Sequence, residues 1–301
     1  YFINQFLIIL KKRHIVFITN GLGNSLFQLS FVEYLEQLNL TPVYPNYFLA
    51  RKNFLSNFFN FLNKFHLFSE WNFSKDPLNN DLFISKLDFF SFLALSIIFI
   101  KSRFNKKKLI NSGFQYEIFK NHYYYGYRQS PEDYLSSKLM RNVCKKYISF
   151  GGELANLIST STQECVIHIR HGDFSNSENN ILELDFYKNS IYRISKFAKN
   201  MFFKRITIIG IAEKNFVEKL ISFLEELGYK PKNISDLTNL TSIKEDFMKI
   251  WFSKYLINSN STFSYWASWG TPKYIITPLE TKKLYNSVKD AYLFHEKIIY
   301  L

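Results

Sequence analysis

The chain has 301 residues, 47% of them hydrophobic, and a formal net charge of +13. That apolar share supports a sizeable core and excludes wholesale disorder, and the length fits two ordinary domains or one large one. The positive field favours anionic partners (nucleotide sugars, nucleic acid or an anionic membrane surface) without choosing among them. Two cysteines, Cys144 and Cys165, exclude a disulfide framework and point to a reduced, cytosolic setting. Phe 33 and Tyr 20 are heavy usage, so no single aromatic carries much weight.

Residues 6–10 are too short an apolar run for a secretory signal, and their basic neighbours Lys11, Lys12 and Arg13 follow rather than precede them. Residues 14–19 are β-branched and aromatic and read as a parallel strand. The strand ends in Asn20-Gly21-Leu22-Gly23-Asn24. Residues 25–38 then place Leu26, Leu29, Val32, Leu35 and Leu38 on one helical stripe, and 43–44 resemble a second strand. Strand, glycine turn, helix, strand is a Rossmann-like opening. Glycines in such a turn let a ligand approach the backbone, although a plain tight turn with Asn24 as helix N-cap accounts for the same residues.

Residues 50–110 are rich in Phe and Lys and are predicted helical. Within them 89–100 form an apolar run of about 12 residues, short of the roughly 20 that span a bilayer. Lys101, Arg103, Lys106, Lys107 and Lys108 follow it. A buried helix with a solvated basic tail fits this stretch, and so does an interfacial helix that makes peripheral contact with anionic lipid. Residues 123–128 look extended. Pro131-Glu132-Asp133 suits the first turn of a helix running to about residue 150, where Gly151-Gly152 breaks it. The best domain boundary falls within 151–164.

A second α/β series follows, with strands predicted at 166–170, 206–211, 255–258 and 273–277. Helices are predicted at 184–199, 216–227, 246–251 and 262–269. Alternation of this kind implies a parallel sheet covered on both faces. Its first strand runs into Val166-Ile167-His168-Ile169-Arg170-His171-Gly172-Asp173-Phe174. His168 and Arg170 are two apart and share a strand face. A cation where a parallel strand ends is well placed to meet an anionic ligand. Between a later strand and helix lies Asn258-Ser259-Asn260-Ser261-Thr262, five polar residues where one would suffice as a cap. Trp266 and Trp269 follow at helical spacing and read as core. The sequence contains no Asp-x-Asp pair, zinc-type Cys/His spacing, Walker pattern or Gly-x-Ser-x-Gly.

Taken in order, three segments resemble the alpha-1,2-fucosyltransferase family of inverting glycosyltransferases. Gly21-Leu22-Gly23-Asn24-Ser25-Leu26-Phe27-Gln28 is similar to its G-x-G-N-x-x-F-Q signature. His168-Ile169-Arg170-His171-Gly172-Asp173-Phe174 is similar to H-x-R-R-G-D-Y. Asn260-Ser261-Thr262-Phe263-Ser264-Tyr265-Trp266-Ala267-Ser268-Trp269 is similar to N-S-[ST]-F-S-W-W-A-A-W. Gly126-Tyr127-Arg128-Gln129-Ser130 resembles the family's G-Y-x-Q-S segment, and Leu184-Asp185-Phe186-Tyr187 its Y-Y segment. Asp246 stands where the family has an acidic helix.

The resemblance implies an α/β fold of two Rossmann-like domains facing across a cleft, the GT-B arrangement. Residues 1–160 would take the acceptor side and 161–301 the donor side. It implies a GDP-fucose donor, no cofactor or metal, and transfer with inversion to the 2-hydroxyl of a galactose-type glycan acceptor, lipid-linked or free. Nucleic acid is not an expected partner. By carry-over, Arg170 and Asp173 would be catalytic, Arg170 at the donor diphosphate and Asp173 as candidate base. His168, His171, Gly21, Gly23, Asn24, Asn260, Ser261, Thr262, Phe263, Ser264 and Asp246 would bind the donor. Two departures stand out. His171 replaces the family's second arginine, and Ile209-Gly210-Ile211-Ala212-Glu213 keeps one acid of an acidic segment. A divergent member that uses another GDP-sugar, or one that binds nucleotide or glycan without transfer, is the alternative.

Overall fold

The computed structural model describes residues 12–18, 22–40, 43–46, 94, 97, 101, 104, 105, 108, 114–118, 121–126, 129, 135–148, 165–171, 181–197, 205–233, 240–272, 274–288, 295 and 297–301. It divides into two compact units, one of residues 1–135 with 142–149, the other of 136–141 with 150–301. The expected domain change at 160/161 lies outside the described residues, as does most of the apolar 89–108 stretch, of which Ala94 is buried and Phe104 exposed. Among the described residues no helix is long and apolar enough to cross a membrane.

The first unit holds β1 (His14–Phe17), α1 (Leu22–Gln37), β2 (Val43–Asn46), β3 (Phe114–Ile118) and β4 (Asn121–Tyr125). Its sheet runs β2-β1-β4-β3. β1 pairs in parallel with β2 and β4, whereas β3 meets β4 as an antiparallel hairpin. β3 was not foreseen from sequence, because Phe114–Ile118 alternates a few apolar residues with Gln115 and Glu117 at an edge that needs only one covered face. Of the predicted α1 stripe, Leu26, Leu29, Val32 and Leu35 are buried, while Leu38 lies past the helix end and is exposed. α1 begins at Leu22, so Asn24 sits inside its first turn, which removes the alternative that made it the helix N-cap.

α2 (Ser137–Tyr147) is shorter than the predicted helix at both ends. The second unit then runs β5 (Cys165–Arg170), α3 (Leu184–Phe197), β6 (Arg205–Ile211), α4 (Lys214–Glu226), β7 (Lys230–Asn233), α5 (Leu240–Phe252), β8 (Tyr255–Ile257), α6 (Thr262–Ala267), β9 (Tyr274–Thr277), α7 (Lys282–Asn286) and β10 (Lys297–Tyr300). Its six strands lie in the order β10-β9-β8-β5-β6-β7, every pairing parallel. Counted from β5 this is the doubly wound order 3-2-1-4-5-6. β7 lacked a strand signature because Lys230–Asn233 is polar and holds Pro231, tolerable at a sheet edge; β10 was missed although Lys297–Tyr300 carries two β-branched residues and an aromatic.

The central strands are nearly continuous apolar runs because helices cover both faces. Ile167, Ile169, Ile206, Ile208 and Ile257 form a core with Tyr187, Ile191 and Ile194 of α3 and Leu220 and Leu224 of α4. α4 ends at Gly228, whose φ of 80° is the left-handed conformation that stops a helix. Gly210 has φ 104° inside β6, opposite Ile169 of β5. A Cβ at 210 would stand 1.9 Å from the Ile169 carbonyl oxygen. Gly210→Ala therefore combines a rare φ with a backbone clash, and we expect urea unfolding to show a loss of about 3 kcal/mol or more.

Candidate active site

In an open parallel sheet the connections leave in opposite directions on the two sides of the strand that starts the winding, and a crevice opens at the carboxyl ends there. In the second unit that switch point lies between β5 and β8. Both segments singled out from sequence emerge at it: His168, Arg170 and His171 at the end of β5, and 258–264, which joins β8 to the first turn of α6.

Backbone pairing of β5 with β8 reaches Ile167 and Ile257. Beyond that rung a side-chain bond joins the strands, with His168 Nδ1 and Ser259 Oγ 2.7 Å apart. Both residues are buried, at 3% and 1% exposure. The Phe263 ring stacks on His168 with centroids 5.7 Å apart, and the edge of Phe247 from α5 closes on Phe263 at 5.5 Å. Burial and then the Arg170 charge push the His168 pKa down to about 3. His168 is thus neutral at ordinary pH, and it lies close enough to Arg170 to feel it. Arg170, the last residue of β5, is half-buried on the same strand face.

The 258–264 turn is held from its other side as well. The Asn258 N–H donates to the Ile276 carbonyl at 2.7 Å. Its side-chain Nδ2 donates to the Tyr285 hydroxyl at 3.1 Å, and that hydroxyl lies 2.9 Å from Ser268 Oγ. Asn258 Oδ1 is buried without a hydrogen-bond partner. Ser261 is the N-cap of α6, its Oγ accepting from the Phe263 N–H at 3.3 Å. Ser264 Oγ donates to the Ser261 carbonyl at 3.2 Å. These two hydroxyls are engaged in the turn's own structure, whereas Asn260, Thr262 and Phe263 are half-exposed. Trp266 and Trp269 are fully buried core.

His171 differs in character from the arginine it replaces. Its N–H donates to the Ile211 carbonyl at 2.7 Å, and its Nε2–H donates to the Leu182 carbonyl at 3.3 Å. The ring meets the edge of Phe216 at 4.4 Å. Burial lowers its pKa, against smaller opposing effects of the Leu182 carbonyl and Glu213. It packs the β5 end against the start of α4, with Glu213 exposed at the α4 N-cap. Asp246 is buried on α5 with Lys249 Nζ 3.5 Å from its Oδ1.

The first unit has a switch point of its own between β1 and β4. There Gln129 Nε2 donates to Asn24 Oδ1 at 2.7 Å and Gln28 Nε2 donates to the Gly126 carbonyl at 3.1 Å. Gly23 is buried in the same turn of α1. Gly21 and Asp173 lie outside the described residues. Tyr285 was not singled out from the sequence, and no individual role was foreseen for Asn258 and Ser259. Those last two stood in the polar run already noticed, but their partners are 27 and 91 residues away in sequence.

The family model of glycosyl transferase family 11 matches residues 93–295, more than half of the chain. The chain belongs to that family. No curated protein matches it. Among solved structures, NodZ alpha-1,6-fucosyltransferase soaked with GDP-fucose is similar at 13% identity and a TM-score of 0.46, over 87% of this chain and 93% of that one. The fucosyltransferase NodZ from Bradyrhizobium gives 13% and 0.45, over 86% and 93%. The E. coli heptosyltransferase WaaC with ADP gives 9% and 0.38, over 88% and 86%. These are distant likenesses, and the family assignment rests on the sequence match.

The neutral state of His168 has a consequence for stability. An unfolded histidine binds a proton near pH 6.5, and the folded one refuses it down to about 3. The contribution is fully kept above about pH 6.5 and lost as pH falls, at about 1.4 kcal/mol per pH unit for one such group. His14, His122, His171 and His295 are also lowered, chiefly by burial, and steepen the fall. Urea unfolding free energies measured from pH 7 to pH 4.5 should therefore decline with acid. The slope should be shallower by up to one proton in His168→Asn.

Proposed function

We propose that this family 11 member transfers L-fucose from GDP-fucose to the 2-hydroxyl of a galactose-type acceptor, with inversion and without a metal. The observation that carries the reading is Arg170, which ends the first strand of a doubly wound sheet beside its switch point. Resemblance of three ordered sequence segments to alpha-1,2-fucosyltransferases supports the donor and the linkage. The C-terminal unit is assigned the donor and the N-terminal one the acceptor. Both cysteines are buried free thiols, which suits a cytosolic setting.

In this scheme the acceptor oxygen attacks the anomeric carbon from the face opposite the diphosphate. The bond from that carbon to the β-phosphate oxygen breaks, and its electron pair leaves with GDP. The acceptor's hydroxyl proton passes to a base, for which Asp173 is the candidate. The guanidinium neutralises charge that grows on the leaving group, and it can do so with two parallel hydrogen bonds to phosphate. α6 has six residues, so its dipole is small, and Thr262 and the turn amides serve more as hydrogen-bond donors than as a charge.

One observation favours a second reading. His171 is packed and neutral where the family has a second arginine, so the diphosphate meets less positive charge. A chain so equipped suits another GDP-sugar, or nucleotide binding without transfer.

A screen of GDP-sugars by thermal shift, followed by mass spectrometry of acceptor products, separates these readings. We expect GDP-fucose to stabilise the protein and yield a fucosylated galactoside whose linkage is read by fragmentation. Arg170→Ala should lower kcat by roughly 100-fold or more with the fold intact by circular dichroism. Near-normal turnover by that variant would overturn the assignment.

A further inference from the structure

We propose that Ser259 is a positioning residue. Through its hydrogen bond to His168 it fixes the carboxyl end of β8 against that of β5, and so sets the 258–263 turn beside Arg170. The claim about ligand rests on the donor reading above, whereas the claim about the turn does not.

Strand pairing between β5 and β8 has its last rung at Ile167 and Ile257. A switch point needs its two strands to part, since the chain departs from them in opposite directions. Backbone hydrogen bonds therefore cannot hold the two ends together where a ligand would sit. The His168–Ser259 bond takes over one step beyond that rung. In a site so far removed from water such a bond is stronger than at a surface, and its loss leaves a polar atom unsatisfied.

The imidazole is itself fixed. Phe263 stacks on one face, and Phe247 holds Phe263. His168 thus touches the turn twice, by its nitrogen at Ser259 and by its ring at Phe263. On the opposite side Asn258 is tied to Ile276, and to Tyr285 and through it to Ser268. The turn is suspended between these two anchorages, one on the β5 side and one on the β9 and α7 side. Asn258 Oδ1, buried without a hydrogen-bond partner, is the sort of cost that a fold carries where a turn is shaped for a purpose other than stability. The family resemblance implies that His168 binds the donor, and the geometry adds that His168 and Ser259 act through the turn.

The test uses the full chain and GDP as probe. Ser259→Ala should weaken GDP binding by about tenfold in calorimetry, the scale of one buried hydrogen bond. It should also speed amide hydrogen exchange at residues 260–264. His168→Leu should do the same, while His168→Asn, which returns a polar atom near the place of Nδ1, should stay within about threefold of the parent. A purely structural role predicts a lower melting temperature with unchanged GDP affinity and unchanged exchange in the turn, and that result would sink the proposal. If Ser259→Ala fails to fold, equal GDP affinity and exchange in the Asn and Leu variants of His168 overturns it. If the parent chain does not bind GDP, the donor reading falls, and the positioning role stands or falls on the exchange rates alone.

Discussion

The order of six parallel strands decides where everything else in the second unit goes. Because β5 lies inside the sheet, with β6 and β7 on one side and β8, β9 and β10 on the other, the chain must wind both ways from it. Right-handed crossovers then put helices on both faces, and the two windings part between β5 and β8. Nothing chemical is required for that crevice to exist. It follows from apolar strands such as Cys165–Arg170 being covered on both sides. Chemistry enters through the residues at the two strand ends.

Those residues divide by protonation. Burial keeps His168 neutral, with Arg170 adding to the effect, and burial lowers His171 as well. Arg170 contributes a guanidinium, with a planar fork of N–H donors. The crevice edge therefore presents a fixed cation set among neutral imidazoles. A cationic His168 two residues away would cost burial energy and repel Arg170, so its neutrality is a condition for the arginine's placement. The overall charge of +13 draws anions toward the chain as a whole. Arg170 gives that attraction an address.

What the sequence made legible follows from which forces are local. Apolar runs fixed the places of β1, β5, β6, β8 and β9, and the spacing of Leu26, Leu29, Val32 and Leu35 fixed the face of α1. Glycine and polar runs marked the turns. The strands that escaped, β3, β7 and β10, lie at sheet edges; in β3 and β7 one covered face suffices and the apolar signal is diluted, whereas the short Lys297–Tyr300 run of β10 was simply overlooked. α5 begins at Leu240, earlier than its apolar residues suggested, because Leu240-Thr241-Ser242 carries little helical signature. Within the site, residue types were legible but roles were not. Ser261 reads equally as cap or ligand until its oxygen is found on the Phe263 N–H. His171 reads as a weakened arginine until Phe216 and Leu182 are found against it. Those contacts join positions that no spacing rule connects.

The first unit meets the same mechanical problem in a smaller sheet and answers it with other side chains. β1 and β4 are its parting neighbours, and amides take the place of the imidazole and hydroxyl. Gln28, fully buried, holds the Gly126 carbonyl, and Gln129 reaches back to Asn24. Phe27 beside Gln28 is equally buried. Much of a motif written G-x-G-N-x-x-F-Q is thus occupied in holding one turn to another. The segment that ends β5 behaves likewise, with His168 and His171 engaged in local packing. A motif letter is in that sense no guarantee of contact with substrate. Where two parallel strands must separate to make room for a ligand, the residues that keep them at the right separation are as tightly specified by geometry as those that touch it.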